Sequence, residues 1–494
     1  MTPTQTPHRA LVWLRRDLRL TDHAALAAAL AGHDEVFVAF VFDTDILSSL
    51  PQHDRRVAFI HGSLVALHIE LQRLAGRADV GLIVRHGPAV DEIARLAQTL
   101  GAHTVVASHD DEPAARARDD AVRTQLARAR IDLRTVKDHV VFERAELLTR
   151  TGTPYTVFTP YWRAWRAQLT QAAWQPHDTT GLGRALAPPP GGITVGVPPL
   201  AALGFAPPPA GPQAAPPTPG EASAAQALAE FLPRLPRYHA TRDEPALDST
   251  SRLGVHLRFG TVSVRALVRA ALGQQPSLVP GEKTGAETWL SELCWRDFFA
   301  QIMAHHPHAM TGAFRPRYDA LRWEEGARAD AQFRAWCQGS TGYPLVDAAM
   351  RQLNTSGFMH NRLRMVTASF LVKHLGLDWR RGEAYFAEKL DDFDLSSNNG
   401  NWQWAASTGC DAQPWFRVFN PMLQARKFDP QARFIRHWLP ELAHLPNAAL
   451  HDLTALSAVE RAALPGDYPD TPIVDHAAAR ARTLARYGAI KAEG

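Results

Sequence analysis

Cysteine is scarce in this 494-residue chain, and long apolar runs are missing from it. The three cysteines, Cys294, Cys337 and Cys410, form no CxxC pair and no Cys/His cluster, so neither a disulfide scaffold nor a metal site is expected. The apolar run at 36–42 is far shorter than the roughly 20 residues of a membrane helix. No apolar stretch follows a basic head at the N-terminus, and we therefore predict a cytoplasmic protein without a secretory signal.

Lysine is also rare, although the overall charge is nearly balanced. The 53 basic residues, 47 of them arginine, stand against 50 acidic ones and give a net charge of +3. This bias is compatible with a polyanionic partner but too small to establish one. Since alanine and glycine are abundant too, the arginine excess favours a bias in base composition over phosphate recognition. With 46% hydrophobic and 21% charged residues, the chain is of the folded globular type.

The first 140 residues alternate short apolar runs with amphipathic segments. The apolar runs predict strands at 11–14, 36–42, 82–84, 104–107 and 133–136. Apolar residues at three- and four-residue spacing predict helices at 55–74, 90–100 and 114–129. Such alternation is typical of a doubly wound, Rossmann-like parallel sheet. The first strand runs into WLRRDLRLTD and not into GxGxxG, so a standard dinucleotide pyrophosphate site is not expected in this half.

A proline-rich stretch divides the chain. Twelve of its 36 prolines fall within 188–220, and because proline fixes φ and lacks an N–H, we predict an extended connector without regular structure there. Beyond it the pattern is helical almost to the end. We therefore predict an α/β domain at 1–140, a connector at 141–221 and an all-α domain at 222–494.

The second half carries the strongest motifs, which taken alone are ambiguous. In WLSELCWRDFF, Glu292 and Arg296 have the spacing of an ion pair on a solvated helix face. The acidic DDFD run at 391–394 lacks the glycine and the distal glutamate of a calcium loop. Nine of the thirteen tryptophans lie between Trp289 and Trp438, and their number alone favours core packing.

Taken together, these motifs resemble those of one family. WLRRDLRLTD, TSRLG, LRFG, WLSELCWRDFF, MHNRLRM, DDFDLSSNNGNWQW and WFRVFNPMLQARKFDP are similar to segments of the DNA photolyase/cryptochrome flavoproteins, and within them of the bacterial class I cyclobutane pyrimidine dimer photolyases. The resemblance spans essentially the whole chain. It implies an N-terminal antenna domain and a C-terminal helical domain that binds one non-covalent FAD, active as FADH⁻. The implied reaction is light-dependent repair of pyrimidine dimers in ultraviolet-damaged DNA, by electron transfer to a dimer flipped out of the duplex, as photolyases do.

The resemblance also implies roles for individual residues. Glu292 would stabilise the dimer, Asn398 would face flavin N5, and Trp402, Trp379 and Trp323 would relay electrons outward from the flavin. The residues expected to hold FAD are Tyr238, Thr250, Ser251, Arg252, Leu253, Gly254, Trp289, Arg296, Arg364, Asp392, Phe393, Asp394 and Asn398. Those expected to contact DNA are Arg242, Trp295, Asn361, Arg362, Met365, Trp404, Arg417, Gln424 and Lys427.

A second, antenna chromophore is implied for the N-terminal domain, either methenyltetrahydrofolate or a deazaflavin. Folate-binding relatives carry an Asn-Glu pair where this chain has Ala114 and Ala115, which argues against folate. Asp110 is a candidate contact for a deazaflavin, although an aspartate in a loop is more often a cap or a turn residue. The identity of the antenna stays open.

Three other functions are compatible with parts of the sequence. A cryptochrome-like blue-light photoreceptor would be expected to differ at Glu292, Trp295 or Asn398. A (6-4) photolyase would need a histidine pair in the lesion pocket, where this chain has Asn361 and Met365. A light-independent nucleotide-binding protein would carry no yellow cofactor. For the favoured function we expect a monomer without an obligate protein partner and without membrane contact.

Overall fold

The computed structural model describes residues 7–209, 216–274, 284–465 and 468–492. Within them, a parallel five-stranded sheet has the strand order β3-β2-β1-β4-β5. The strands are β1 (Arg9–Leu14), β2 (Glu35–Asp43), β3 (Leu82–Gly87), β4 (Thr104–Ser108) and β5 (Asp132–Val136). Each predicted strand coincides with one of them, which confirms the doubly wound parallel sheet.

Helices cover both faces of this sheet. They are α1 (Ala24–Leu30), α2 (Thr44–Leu47), α3 (Arg55–Ala75), α4 (Ala89–Leu100) and α5 (Pro113–Arg128). Helix α3 begins where the Asp54 side chain accepts hydrogen bonds from two backbone N–H groups, and it ends at Gly76 in the left-handed conformation, as good caps do. The three amphipathic segments predicted in this half correspond to α3, α4 and α5.

The segment between the sheet and the helical half contributes side chains to two hydrophobic cores. It holds α6 (Phe158–Gln168), α7 (Gln171–Trp174) and α8 (Leu182–Ala185). Trp165 of α6 is buried in the core of the helical half, whereas Leu203 is buried in a core beside the sheet. Within the described part of 188–220, the predicted lack of regular structure holds apart from one 3-10 turn at Leu200–Leu203; residues 210–215 lie outside the described ranges. The boundaries 1–140, 141–221 and 222–494 stay predictions.

The second half is helical, as predicted. Its α-helices are α9 (Glu221–Phe231), α10 (Tyr238–Thr241), α11 (Gly254–Phe259), α12 (Val264–Gln274), α13 (Gly285–His305), α14 (Ala327–Gln338), α15 (Pro344–Ser356), α16 (Asn361–Ser369), α17 (Trp379–Lys389), α18 (Leu395–Ala406), α19 (Pro421–Phe428), α20 (Arg433–Trp438), α21 (Asn447–His451), α22 (Ala458–Ala462) and α23 (His476–Ala492). A π-helical segment, Phe370–Leu375, continues α16. Further 3-10 turns lie at Arg144–Glu146, Leu232–Arg237, Pro307–Met310, Pro316–Ala320, Pro440–Leu442 and Leu453–Ala455. None of the described helices combines the length and the apolarity needed to cross a bilayer.

Two of the sequence motifs meet at the junction between the sheet and the helical half. The N–H of Leu18, in WLRRDLRLTD, donates to the carbonyl of Phe259, in LRFG, at 3.0 Å. Gly260 has φ +66°, and a Cβ there would lie 1.9 Å from the carbonyl oxygen of Arg16. Only glycine satisfies both the backbone conformation and this close approach.

Gly260→Ala should therefore destabilise the protein. The left-handed backbone and the clash with Arg16 predict a loss of at least about 2 kcal/mol in the free energy of unfolding. Denaturant titration measures this loss of stability. Gly488→Ala is the control, because a Cβ added at that helical glycine would have no neighbour within 4 Å. The control should be neutral or slightly stabilising. Equal stabilities of the two variants would contradict the tight junction.

Candidate functional site

A cavity of about 100 Å³ lies between α16, α17 and α18. It collects predicted site residues that are far apart in the sequence. Nine of them line it: Asn361, Arg364, Met365, Asp392, Phe393, Asp394, Asn398, Trp402 and Trp404. The predicted flavin residues and the predicted lesion-pocket residues thus surround one space.

A larger cleft of about 770 Å³ adjoins this cavity at Asp392, which lines both. Its volume is in the range of about 300–1,000 Å³ that small-molecule and cofactor sites have. Arg252 and Gly254 of TSRLG line it as well. A Cβ at Gly254 would lie 2.4 Å from Oδ2 of Asp392, so glycine keeps the passage beside this carboxylate open.

Asp392 is held by Arg364. Nη2 of Arg364 lies 2.9 Å and 3.1 Å from the two carboxylate oxygens of Asp392, and its Nε donates to the Met359 carbonyl at 2.8 Å. The guanidinium is therefore fixed from both sides. The ion pair that the family resemblance implied is present, while its contact with a cofactor stays a prediction.

Asp394 connects the cavity with the sheet domain. Its carboxylate caps α18 by accepting from the Ser397 N–H at 3.0 Å. It also lies 2.5 Å from Nη2 of Arg16 and 3.4 Å from Nη1 of Arg258. Burial opposes its ionisation, but the two arginines outweigh burial and hold the pKa of Asp394 well below its usual range. Asp394 therefore stays ionised in the wall of the cavity, with its charge balanced by the two arginines.

The amide of Asn398 is oriented by Glu383. Nδ2 of Asn398 donates to the Glu383 carbonyl at 3.0 Å, which leaves Oδ1 to accept a hydrogen bond from a group in the cavity. The Glu383 carboxyl accepts from Nδ2 of Asn399 at 3.0 Å. Burial raises the pKa of Glu383 to about 7, so this carboxyl is largely protonated in mildly acidic solution.

Glu292 and Trp295 lie one turn apart on α13, as the spacing predicted. Oε1 of Glu292 accepts from Nη1 of Arg242 at 2.5 Å. The ring of Trp295 is stacked on Phe158, with 3.6 Å between ring centres and 4° between planes. One face of Trp295 is thereby covered, and Phe299 packs against the same indole with 5.4 Å between ring centres. Its role in stacking on a base stays a prediction.

Comparison with known proteins places this geometry in a family. The family models "DNA photolyase" and "FAD binding domain of DNA photolyase" match residues 10–179 and 289–489. The deoxyribodipyrimidine photo-lyase of Halobacterium salinarum is 38% identical over 97% of this chain and 98% of the relative, and that of Escherichia coli is 36% identical over 97% and 98%. The chain belongs to the DNA photolyase family. Among solved structures, a bacterial class III photolyase from Agrobacterium tumefaciens has 34% identity and TM-score 0.84 over 99% of both chains. A Synechocystis cryptochrome has 28% identity and TM-score 0.86 over 98% of this chain and 99% of its own.

In this photolyase-family protein, the three relay tryptophans occupy different environments. Trp402 packs edge-on against Phe386, with 5.0 Å between ring centres, and a second indole, Trp336, lies 6.1 Å away. Trp379 is 1% exposed. Trp323 is half-buried and packs beside the C-terminal helix. Trp402 and Trp379 are thus buried to the same degree and Trp323 is the most accessible of the three. Their order and their role in electron transfer stay predictions.

Predicted DNA contacts from two elements converge on Phe428. The guanidinium of Arg362 lies 4.3 Å and Nζ of Lys427 5.1 Å from the centre of this ring. Arg362 also pairs with Asp243 at 2.7 Å. Gln424 is half-buried on α19, and Arg417 is exposed on the loop before it. Arg362 and Lys427 are thus brought together at one ring, while Arg417 and Gln424 are placed only by their positions before and on α19.

The remaining predicted flavin residues contact the core or the domain junction. Tyr238 and Trp289 pack on either side of Phe231, with ring centres 5.7 and 5.0 Å from it. Arg296 donates to the backbone carbonyls of His139 and Leu257. In the loop before α11, Ser251 Oγ accepts from the Leu253 N–H at 3.4 Å, and Thr250 is half-buried.

The antenna candidate Asp110 is already engaged. It lies 3.5 Å from Arg16 and accepts from the backbone N–H of Glu112 at 3.1 Å. Burial opposes ionisation, but Arg16 and Arg15 lower the pKa of Asp110 to about 2. Beside it, a cleft of about 340 Å³ opens between the sheet and α13. The structure leaves the antenna's identity open.

Sequence reasoning missed four residues that contact predicted site residues: Arg16, Glu383, Trp336 and Phe158. Arg16 stands in a motif that served only as a family signature, and its partner Asp394 is 378 positions away. Glu383 acts through its backbone carbonyl, which no motif of side chains reveals. Trp336 and Phe158 lie outside the motifs that carry the family resemblance, so their pattern indicated core packing.

Glu383→Gln should stabilise the protein at alkaline pH. Because the carboxyl has a pKa near 7 in the folded state against 4.5 ordinarily, wild type loses stability as the pH rises from about 4.5 to 7. The variant stays neutral, so its unfolding free energy should gain about 1–3 kcal/mol over wild type between pH 5 and pH 8. Denaturant titrations across this range measure the gain. Exposed Glu388 supplies the control, and a pH-independent difference for Glu383→Gln would exclude the raised pKa.

Proposed function

We propose that this protein is a light-dependent lyase that repairs cyclobutane pyrimidine dimers in DNA, of the bacterial class I type. The observation that carries the proposal is the single cavity lined by both residue sets, in a chain similar over 97% of its length to deoxyribodipyrimidine photo-lyases. The class I assignment rests on motif resemblance alone, because a class III enzyme is also similar. We expect a cytoplasmic monomer that acts on ultraviolet-damaged DNA.

The residues present fit FAD. The cleft beside Gly254 has the volume of a cofactor site, and the smaller cavity offers a guanidinium, two carboxylates and a free amide oxygen. When bound and reduced, FAD supplies an electron donor that blue light excites. Arg364 and Asp392 would hold the ring system, the TSRLG segment would hold the pyrophosphate, and Oδ1 of Asn398 would accept a hydrogen bond from N5–H.

The DNA-facing residues suit recognition of an extruded dimer. Asn361, Met365 and Trp404 line the cavity with polar, flexible and aromatic surface, which suits stacked bases with polar edges. Arg362, Arg417 and Lys427 would contact phosphates, so we expect sequence-independent and salt-sensitive binding. Glu292, oriented by Arg242, would hydrogen-bond the dimer and stabilise the charge that it gains.

Blue light on dimer-bearing DNA with the reduced protein tests the proposal directly. Repair should require light, and a dark sample serves as the control. A colourless protein, or dimers left intact under illumination, would refute it.

Glu292→Gln should lower the repair yield more than the FAD content. The amide keeps the shape of the side chain but is a weaker hydrogen-bond donor to the dimer anion than a carboxylic acid, and we expect a loss of roughly tenfold in repair per absorbed photon. Absorbance gives the FAD content and dimer-bearing oligonucleotides give the yield, with exposed Glu70→Gln as the control. Proportional losses of both quantities would reject this role.

Trp402→Phe should separate photoreduction from repair. Removing the indole that borders the cavity removes the first step of the relay, so illumination with an external reductant should no longer convert oxidised FAD. Protein reduced chemically beforehand should still repair dimers. Trp415→Phe, which removes an indole stacked on Tyr487, is the control. Unchanged photoreduction in Trp402→Phe would show that electrons enter by another route.

A further inference from the structure

Lys373 is the one lysine in the described residues that is fully buried. It lies in the π-helical segment Phe370–Leu375, and π-helical turns are frequent at functional sites. Within the described ranges no carboxylate lies within 4.0 Å of its amine. Nζ of Lys373 instead donates to Ser407 Oγ at 3.0 Å and to the Arg417 carbonyl at 2.9 Å.

Burying an amine without a neighbouring anion destabilises a fold, so a lysine at this position needs a specific explanation. Burial, followed by the nearby charge of Arg417, lowers the pKa of Lys373 to about 7. A neutral amine has two N–H donors, and the two acceptors match them. The amine is therefore satisfied by these two oxygens, which belong to the end of α18 and to the loop that follows it.

This loop, residues 408–420, connects α18, which borders the cavity, with α19, which carries Gln424 and Lys427. The Arg417 carbonyl receives a second hydrogen bond, from Nε2 of Gln413 at 2.7 Å. The Gln413 N–H in turn donates to the carbonyl of Trp404 at 3.2 Å. Two hydrogen bonds thus hold the backbone carbonyl of Arg417, whereas its side chain is exposed. The neighbouring residue Phe416 is 58% exposed.

The geometry points to Lys373 as a positioning residue for DNA binding. Its hydrogen bonds fix the position of the 408–420 loop beside Trp404, so that Arg417 and Phe416 contact the strand that flanks the dimer. This inference rests on the proposed function, because it takes damaged DNA as the ligand. Lys373 itself would touch neither DNA nor cofactor. Its hydrogen bonds place the backbone that carries the contacts, and phosphate contacts of this kind fix the register of a protein on DNA.

Lys373→Met tests the inference, because methionine fills similar space without an N–H donor. We expect the dissociation constant for a dimer-bearing oligonucleotide to rise about tenfold, the scale of a lost buried hydrogen bond. FAD absorbance and the repair yield per photon at saturating DNA should stay as in wild type. Fluorescence anisotropy measures the binding, and Lys389→Met, at a lysine with a partly exposed side chain, is the matched control.

An unchanged dissociation constant would overturn the inference. A loss of affinity accompanied by an equal loss of bound FAD would also overturn it, because a general packing defect would explain both losses. Gln413→Met provides an independent arm if Lys373→Met does not fold, because it removes the other donor to the same carbonyl. It should also weaken binding without loss of FAD, and retained affinity would count against the inference. Failure of wild type to bind dimers would instead refute the proposed function.

Discussion

The ion cluster around Asp394 is the interaction on which the cavity and the domain junction both depend. Arg16 from the sheet half and Arg258 from the helical half meet at this carboxylate, and both also contact Glu112. Asp394 caps α18 at the same time. Since a buried carboxylate is strongly destabilising once its partner is lost, domain docking, the start of α18 and the charge of the cavity wall cannot vary independently.

The fold was predictable to the extent that local patterns determine it. The runs at 36–42 and 104–107 are apolar throughout because parallel strands are buried on both faces, and helix α4 shows its apolar stripe directly in the sequence. The path of the connector was not predictable, because Trp165 and Leu203 belong to different cores. Composition indicates that a segment lacks regular elements, but not which surface its few apolar side chains cover.

The site was predictable as a set of residues and not as a set of interactions. Motifs identified Arg364, Asp392 and Asn398, and the cavity contains all three. What orients them came only from the structure: Asn398 depends on a backbone carbonyl of Glu383, and the cover on Trp295 is Phe158, 137 positions before it. Such contacts depend on which distant segments the fold brings together, and they leave no periodic pattern in the sequence.

In the DDFD segment, each of three neighbouring carboxylates faces an arginine. Asp391 accepts from Nε of Arg55 at 2.9 Å, at the start of α3, and Asp394 accepts from Arg16, after β1. Both outer carboxylates are thus anchored by arginines of the sheet half, while Asp392 pairs with Arg364 of its own half. Each carboxylate faces an arginine, which offsets part of the repulsion between neighbours, although burial still raises the pKa of Asp391 to about 6. The sheet half therefore shapes this turn of the cavity wall directly.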